Sequence, residues 1–190
     1  NVYAVGDIHG CYNLLMSRLS EIGFDFENDL LVAVGDLVDR GIQNIKCIEL
    51  LAKPWFTSVR GNHEDLCIHG LENHSAKQCH VSNGGEWFYE LDELAQHNIA
   101  KTFAALPVAL EVNHKGKKFG FVHGHIEQND WDEFKQVLNN PFSKNIGGRC
   151  PADLAMWGRD RFDTDNLHYT HVSGVDAVIM GHTVTTKPFK

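Results

Sequence analysis

The chain has 190 residues, 43% of them hydrophobic and 22% charged, with a formal net charge of −8. This is enough length and apolar content for one domain with its own core, and no apolar run approaches the roughly 20 residues of a membrane-spanning helix. The acidic balance excludes a general binder of nucleic-acid backbone, which needs a basic stripe.

Val2, Tyr3, Ala4 and Val5 predict a first strand, which runs into Gly6-Asp7-Ile8-His9-Gly10 with no leader pattern before it. Leu15, Leu19 and Ile22 share one face of a helix over 12–22. The run 30–34 is apolar throughout and predicts a strand buried on both faces. It ends at Gly35-Asp36, and a carboxylate at the tip of a core strand is costly unless something offsets its desolvation. Ile45, Ile48 and Leu51 line a second helix, closed by Pro54, and a third strand over 56–59 leads to Arg60-Gly61-Asn62-His63. Strand, helix, strand, helix, strand is the pattern of a parallel sheet.

Residues 84–106 carry Trp87, Phe88, Leu91, Leu94, Ile99 and Phe103 at helical spacing, and Pro107 follows. The runs 108–112 and 119–122 flank His114-Lys115-Gly116-Lys117-Lys118 and predict a hairpin, the start of a second, more antiparallel sheet. Short helices are expected over 130–138 and 152–156, with a loop over 139–151 between them. A last strand over 177–180 ends in Gly181-His182. No repeat or linker interrupts the chain, which predicts a single α/β domain over 1–190. Cys11, Cys47, Cys67, Cys79 and Cys150 are scattered, odd in number and without a Cys-x-x-Cys pair. They predict packing roles in a reducing cytoplasm rather than a zinc ribbon or a disulfide framework.

Five predicted strands thus end in glycine beside Asp, Asn or His. In parallel sheets functional groups gather beyond the carboxyl ends of the strands. The ends would bring Asp7, His9, Asp36, Asn62, His63, His123 and His182 to one rim. A lone Gly-Asp after a strand is usually a turn, and a lone histidine is usually a surface or core residue. Five such clusters at five strand ends read instead as a ligand set. Carboxylate, amide and imidazole without thiolate suit manganese, iron, zinc or magnesium. Asp7 and His9, two apart in an extended segment, point the same way. Asp36 has two oxygens and is able to bridge two ions, which would offset its position at the strand tip.

Gly6-Asp7-Ile8-His9-Gly10, Gly35-Asp36-Leu37-Val38-Asp39-Arg40-Gly41 and Arg60-Gly61-Asn62-His63-Glu64 resemble three signatures, GDxHG, GDxVDRG and GNHE. These mark the phosphoprotein phosphatase branch of the calcineurin-like metallophosphoesterases. His123-Gly124 and Gly181-His182 are similar to that family's two later histidine motifs, in order. The segment Ser82-Asn83-Gly84-Gly85-Glu86-Trp87-Phe88 resembles the bacterial and bacteriophage-lambda type of serine/threonine protein phosphatase. The resemblance covers nearly the whole chain. It implies a metallophosphoesterase fold, with two mixed β-sheets packed as a sandwich and flanked by helices. The family continues with further strands after its last histidine motif, so the second sheet is expected to be short of them at Lys190.

The resemblance also implies two divalent metal ions, manganese first among the candidates. Asp7, His9 and Asp36 would hold one, and Asp36, Asn62, His123 and His182 the other. It implies His63 as general acid, oriented by Asp39. Arg40 and Asn62 would face the substrate phosphate, joined by a second arginine; Arg161 is the first choice and Arg159 the alternative. Arg60 and Glu64 would support the site, and His125 would stand behind the ligands or on the surface.

The chemistry accounts for these residue types. Two cations about 3.5–4 Å apart neutralise phosphate oxygens and turn a shared water into hydroxide near neutral pH. That hydroxide attacks phosphorus directly, without a covalent phosphoenzyme. Cys11 and Arg18 are too far apart for a cysteine-phosphatase loop, and Asp163-Thr164-Asp165 lacks a preceding apolar strand and reads as a loop. His69, His74, His80, His97, His114, His168 and His171 read as surface or locally hydrogen-bonded residues. Lys115, Lys117 and Lys118 read as a solvated hairpin tip. The expected function is a cytoplasmic serine/threonine protein phosphatase acting on phosphorylated proteins or peptides, with phosphotyrosine and phosphohistidine as further substrates, and with neither nucleic acid nor membrane as partner. One rival is a diadenosine tetraphosphate hydrolase, which the same family contains. A metallo-nuclease is opposed by the acidic charge, and a non-catalytic module by the intact ligand set, His63 and Arg40.

Overall fold

Apolar alternation along one central strand decides how the layers meet. The computed structural model describes residues 1–140, 149–162 and 169–184. Strand β2 (Leu30–Ala33) lies between β1 (Val2–Val5) and β3 (Phe56–Ser58), and both pairings are parallel, with Val2 opposite Leu30 and Leu31 opposite Phe56. The crossovers carry α1 (Tyr12–Glu21) and α2 (Asn44–Glu49). Leu31 and Ala33 turn to one face and pack with Leu15, Leu19 and Cys47, while Val32 and Val34 turn to the other. A central strand of a parallel sheet is covered on both sides, so an uninterrupted apolar run is what it needs.

The second sheet contains β4 (Ala109–His114), β5 (Lys117–Val122) and β6 (Ala177–Ile179), antiparallel and then parallel. Lys115 and Gly116 form the two-residue turn, with φ +50° and +76°, the backbone that fits a twisted hairpin. Phe119, Phe121 and Ile179 meet Val32, Val34 and Val59 between the sheets. Val122 and Val178 face outward onto Trp131 and Phe134 of α7 (Trp131–Asn139) and Ala155 of α8 (Pro151–Trp157). The result is the expected sandwich with helices outside. Among the described residues only the second sheet is mixed. Helical crossovers make the first sheet wholly parallel, and the hairpin gives the second its antiparallel pair.

Over the first sheet lie α3 (Asn62–His69), α4 (His74–Ser82), α5 (Glu86–Tyr89) and α6 (Glu93–Ala104). The single helix expected over 84–106 is therefore two. Asp92 interrupts it: its backbone is extended (φ −65°, ψ 158°) and its side chain accepts the Ala95 N–H at 2.9 Å. That is a helix N-cap, which starts a new helix instead of continuing an old one. Of the cysteines, only Cys47 and Cys67 pack in the core; Cys79 is half-buried, and Cys11 and Cys150 are exposed. Most of the loop expected over 139–151 lies outside the described residues, as do Asp163-Thr164-Asp165 and His168.

Candidate active site

Each β-strand of the first sheet, and β5 and β6 of the second, delivers polar residues at its carboxyl end. Asp7 and His9 follow β1; Asp36, Asp39 and Arg40 follow β2; Asn62 and His63 open α3 after β3; His123 follows β5 and His182 follows β6. Six non-glycine residues among those described have positive φ. One is Lys115 in the hairpin turn, and the other five are His9 (+45°), Asp36 (+51°), Asp39 (+72°), Arg40 (+66°) and His182 (+61°). Left-handed backbone costs a non-glycine residue energy and persists where surrounding structure enforces it, characteristically at functional sites.

Asp36 is at the centre. Its Oδ2 lies 3.6 Å from His9 Nε2 and 3.9 Å from His63 Nε2, and its Oδ1 lies 3.3 Å from His123 Nε2. His123 Nε2 is also 2.9 Å from Asn62 Oδ1, and its ring stands 4.9 Å from that of His182. Asp7 Oδ2 lies 4.0 Å from His9 Nε2, and Asp7 Oδ1 accepts the His182 N–H at 3.1 Å. His9 donates through Nδ1 to the Val38 carbonyl at 2.8 Å, and His123 does the same to Val34 at 2.6 Å. Fixing Nδ1 as donor turns each Nε2 inward, the usual arrangement of a metal-binding imidazole.

The electrostatics favour a cation here. Burial opposes the charge on Asp36, but His123 and His63 beside it prevail and hold its carboxyl well below the usual range. Burial likewise opposes charge on His123, yet the facing Asp36 carboxylate raises its pKa to about 9. His182 is pushed down to about 4, by burial first and then by the neighbouring His123. A proton on His123 Nε2 therefore occupies the point where Asp36, Asn62 and His123 converge. The same oxygen and nitrogen donors fit a divalent cation, and the two oxygens of Asp36 serve His9 on one side and His123 on the other.

His63 is buried beside this set. Its Nδ1–H donates to Asp39 Oδ2 at 2.6 Å. Burial lowers the His63 pKa, but the bond to Asp39 and the charges of Asp36 and Asp39 outweigh it and leave the value raised. Asp39 is held the other way. Burial raises its pKa, and the donors His63, His80 and Trp87 bring it below the usual range. Arg40 reaches in from the rim, with Nη1 2.9 Å from His9 Nε2 and Nη2 3.2 Å from His63 Nε2. Each of those nitrogens has a single lone pair in the plane of the ring. His9 Nε2 cannot both accept from Arg40 and bind a metal ion, and His63 Nε2 cannot both accept from Arg40 and carry a proton.

The two later arginines part company. Arg159 joins Asp7, Asp36, Arg40, Asn62 and His63 on the wall of a cavity of about 310 Å³, and its Nη1 donates to the His182 carbonyl at 2.7 Å. Arg161, the first choice from sequence, faces away. Its guanidinium donates to the carbonyls of Ile126 (3.0 Å), Thr170 (2.8 Å) and Gln128 (2.9 Å) and to Asn129 Oδ1 (3.1 Å). A guanidinium with four acceptors holds loops together and has little left for a phosphate. Arg60 is likewise engaged elsewhere, with Asp65 and the Ala104 carbonyl. Glu64 is buried and accepts the N–H groups of Asp36, Leu37 and Gly61, all at 2.8 Å, tying the β2 loop to the β3 loop. His125 is fully buried with no hydrogen-bond partner on either nitrogen among the described residues; its ring meets Tyr169 edge-on at 4.9 Å, and burial lowers its pKa to about 4.

The segment Asn83 to Phe88 is part of the site. Asn83 lines the cavity, and the Gly84 carbonyl accepts the Arg40 N–H at 3.3 Å. Gly84 has φ +94°, and a Cβ there would fall 2.8 Å from Arg40 N, so no other residue fits without displacing Arg40. Trp87 Nε1 donates to Asp39 Oδ1 at 2.7 Å. His80, expected to be superficial or locally bonded, is fully buried and donates to Asp39 Oδ2 at 2.9 Å, a partner 41 residues away. Neither contact has a signal in sequence spacing.

Residues 1–185 match the model of the family described as calcineurin-like phosphoesterase. The chain is 34% identical over 190 residues to serine/threonine-protein phosphatase 2 of Salmonella typhimurium, covering 97% of this chain and 80% of that one. It is 35% identical over 189 residues to serine/threonine-protein phosphatase 1 of the same organism, covering 92% and 87%. A symmetrical bis(5'-nucleosyl)-tetraphosphatase of Shewanella frigidimarina is 29% identical over 186 residues, covering 88% of this chain and 64% of that one.

Proposed function

The chain belongs to the calcineurin-like phosphoesterases and is a hydrolase of phosphoric esters, and from that premise we propose that it is a serine/threonine protein phosphatase acting on phosphorylated proteins or peptides. The observation that carries the reading is a buried imidazole, His63, oriented by Asp39 at 2.6 Å and set 3.9 Å from Asp36 of the ligand cluster. A phosphoseryl or phosphothreonyl ester has a leaving oxygen of high pKa, and such an oxygen needs an acid beside the activated phosphate.

Asp7, His9 and Asp36 would hold one divalent ion, and Asp36, Asn62, His123 and His182 a second. When bound, such ions neutralise phosphate oxygens and lower the pKa of water toward neutrality. Manganese is the proposed ion, since the donors are oxygen and imidazole with no thiolate. Arg40 has a double part. Turning its guanidinium from His9 and His63 onto a phosphate frees His9 Nε2 as a ligand and lets His63 Nε2 carry a hydrogen. Arginine suits that phosphate contact because its N–H fork pairs with two oxygens at once. Arg159, across the cavity, would take the same phosphate. His63 then gives its Nε2 proton to the leaving oxygen, a step worth about 10²–10⁴ in rate.

The two phosphatases that it resembles at 34% and 35% identity are covered over 80% and 87% of their length, against 64% for the tetraphosphatase at 29%. That difference supports a protein substrate over a dinucleoside polyphosphate. Residues 1–190 taken as one catalytic domain belong to the same proposal, because both sheets carry the proposed ligands and share one apolar layer. Work in the cytoplasm is part of the same proposal, and five free cysteines suit its reducing conditions. No described helix is long and apolar enough to cross a membrane. The test is a panel of phosphopeptides and dinucleoside polyphosphates with Mn²⁺, compared by kcat/KM. Phosphopeptides should lead by at least about tenfold, one factor of ten per 1.36 kcal/mol of barrier; the reverse order would overturn the reading in favour of the tetraphosphatase.

A further inference from the structure

Asp39 is fully buried and accepts three side-chain hydrogen bonds. One goes to His63. The other two come from α4 and α5, through His80 and Trp87. His80 Nε2 carries the hydrogen in its bond, since a carboxylate in this state only accepts. Its Nδ1 lies 3.0 Å from Tyr89 Oη. The ring is boxed in: Phe88 packs against it at 5.7 Å, and a Cβ on Gly85 would fall 2.1 Å from its Cδ2. A continuous chain therefore runs Tyr89, His80, Asp39, His63.

Asp39, Cys67 and His80 also bring potential metal donors within 4.8 Å of one another. A metal there is opposed by the bonds already made. Both Asp39 oxygens are taken, the cluster has no exposed member, and burial pushes the Cys67 thiol well above its usual pKa. The geometry serves a hydrogen-bond chain instead.

A buried carboxylate that orients an imidazole must stay ionised and keep its plane fixed. His63 supplies one donor, which cannot by itself stop the carboxylate turning about its own side-chain bonds. His80 shares Oδ2 with His63 and Trp87 holds Oδ1, so both oxygens are pinned and Oδ2 stays aimed at His63 Nδ1. We propose that His80, itself held by Tyr89, is a positioning residue for the Asp39–His63 pair and so sets the rate at which the leaving oxygen is protonated. The proposal rests on the general-acid reading of His63. In the step concerned, a water-derived oxygen forms its bond to phosphorus as the ester P–O bond breaks, and the electron pair of the broken bond goes to the leaving oxygen. That oxygen takes the proton from His63 Nε2, and the neutral ring keeps Nδ1–H on Asp39.

The test compares a phosphoserine peptide, whose leaving oxygen needs a proton, with 2,4-dinitrophenyl phosphate, whose leaving oxygen does not. His80→Phe should lower kcat on the peptide about tenfold or more, with KM and metal content kept, as loss of an orienting partner usually does. The loss on the dinitrophenyl ester should stay within about twofold, because no acid is required there. His80→Gln keeps an N–H where Nε2 stood and should recover most of the peptide activity. Tyr89→Phe should give a smaller loss with the same selectivity, and it decides the matter if His80→Phe does not fold. Equal loss on both substrates in the His80 variants, or full peptide activity in Tyr89→Phe and His80→Phe, would overturn the proposal. His63→Asn is measured alongside. If it too fails to distinguish the substrates, the acid reading itself falls and takes this one with it; if it distinguishes them and His80→Phe does not, only the role of His80 is lost.

Discussion

Arg40 holds its guanidinium against two nitrogens that the reaction needs free. This predicts an unusual split for Arg40→Ala. Mn²⁺ affinity by calorimetry should stay the same or tighten, because His9 Nε2 is released. At the same time kcat/KM should fall about 10–100-fold, the worth of charge-assisted bonds to phosphate. A variant that lost Mn²⁺ binding would contradict this account of Arg40. Arg159 and Arg161 are separable in the same way. Arg159→Ala should lower kcat/KM about tenfold with the melting temperature kept. Arg161→Ala should keep kcat/KM and cost about 2 kcal/mol of stability, through carbonyls left without a donor. Sequence brought these two residues to notice and put Arg161 first, a choice that spacing alone could not settle. They are two positions apart, and their directions are set by acceptors at 126–129 and 170 for one and at 182 for the other. His80 was invisible for the same reason: an isolated histidine on a polar stretch gives no sign of a carboxylate 41 residues earlier. The ligand candidates were legible because each strand end packs its donors into a few consecutive residues, beside a glycine.

At the scale of elements, the parallel sheet was readable from two short helices between apolar runs, and the hairpin from Lys115-Gly116. The boundary at Asp92 was not, because apolar residues at helical spacing continue on both sides of it. A capping side chain overrides that periodicity: Asp92 accepts the Ala95 N–H and starts α6 afresh. The break has a purpose, since it leaves α5 as a separate turn that carries Trp87 to Asp39. Asp92→Ala should lower stability by about 1 kcal/mol. In a chain of this size that is a fall of about 2–4 °C in melting temperature, read by calorimetry. A gain in stability would mean that the helix prefers to run through, and that the cap does not define the break.

Across the whole molecule, one apolar layer joins the sheets while their carboxyl ends crowd acidic and imidazole groups together. The crowding leaves a mark on stability in chelator. His123 has a pKa of about 9 in the folded chain, burial being outweighed by Asp36, against about 6.5 unfolded. Between those values the native state holds a proton that the unfolded chain has lost. The stability this contributes is full below about pH 6.5 and disappears as pH rises through about 9. The melting temperature of the metal-free protein should therefore fall over this window, and the slope should be missing in His123→Gln. A rise with pH, or an equal slope in the variant, would contradict it.

The proposed chemistry requires Asp36 to join two adjacent divalent ions. Anomalous scattering from crystals soaked in Mn²⁺ measures that directly. The expected map has two peaks about 3.5–4 Å apart, one on each side of Asp36, with His9 at the first and His123 at the second. A single peak away from Asp36, or none at full soak concentration, would contradict it.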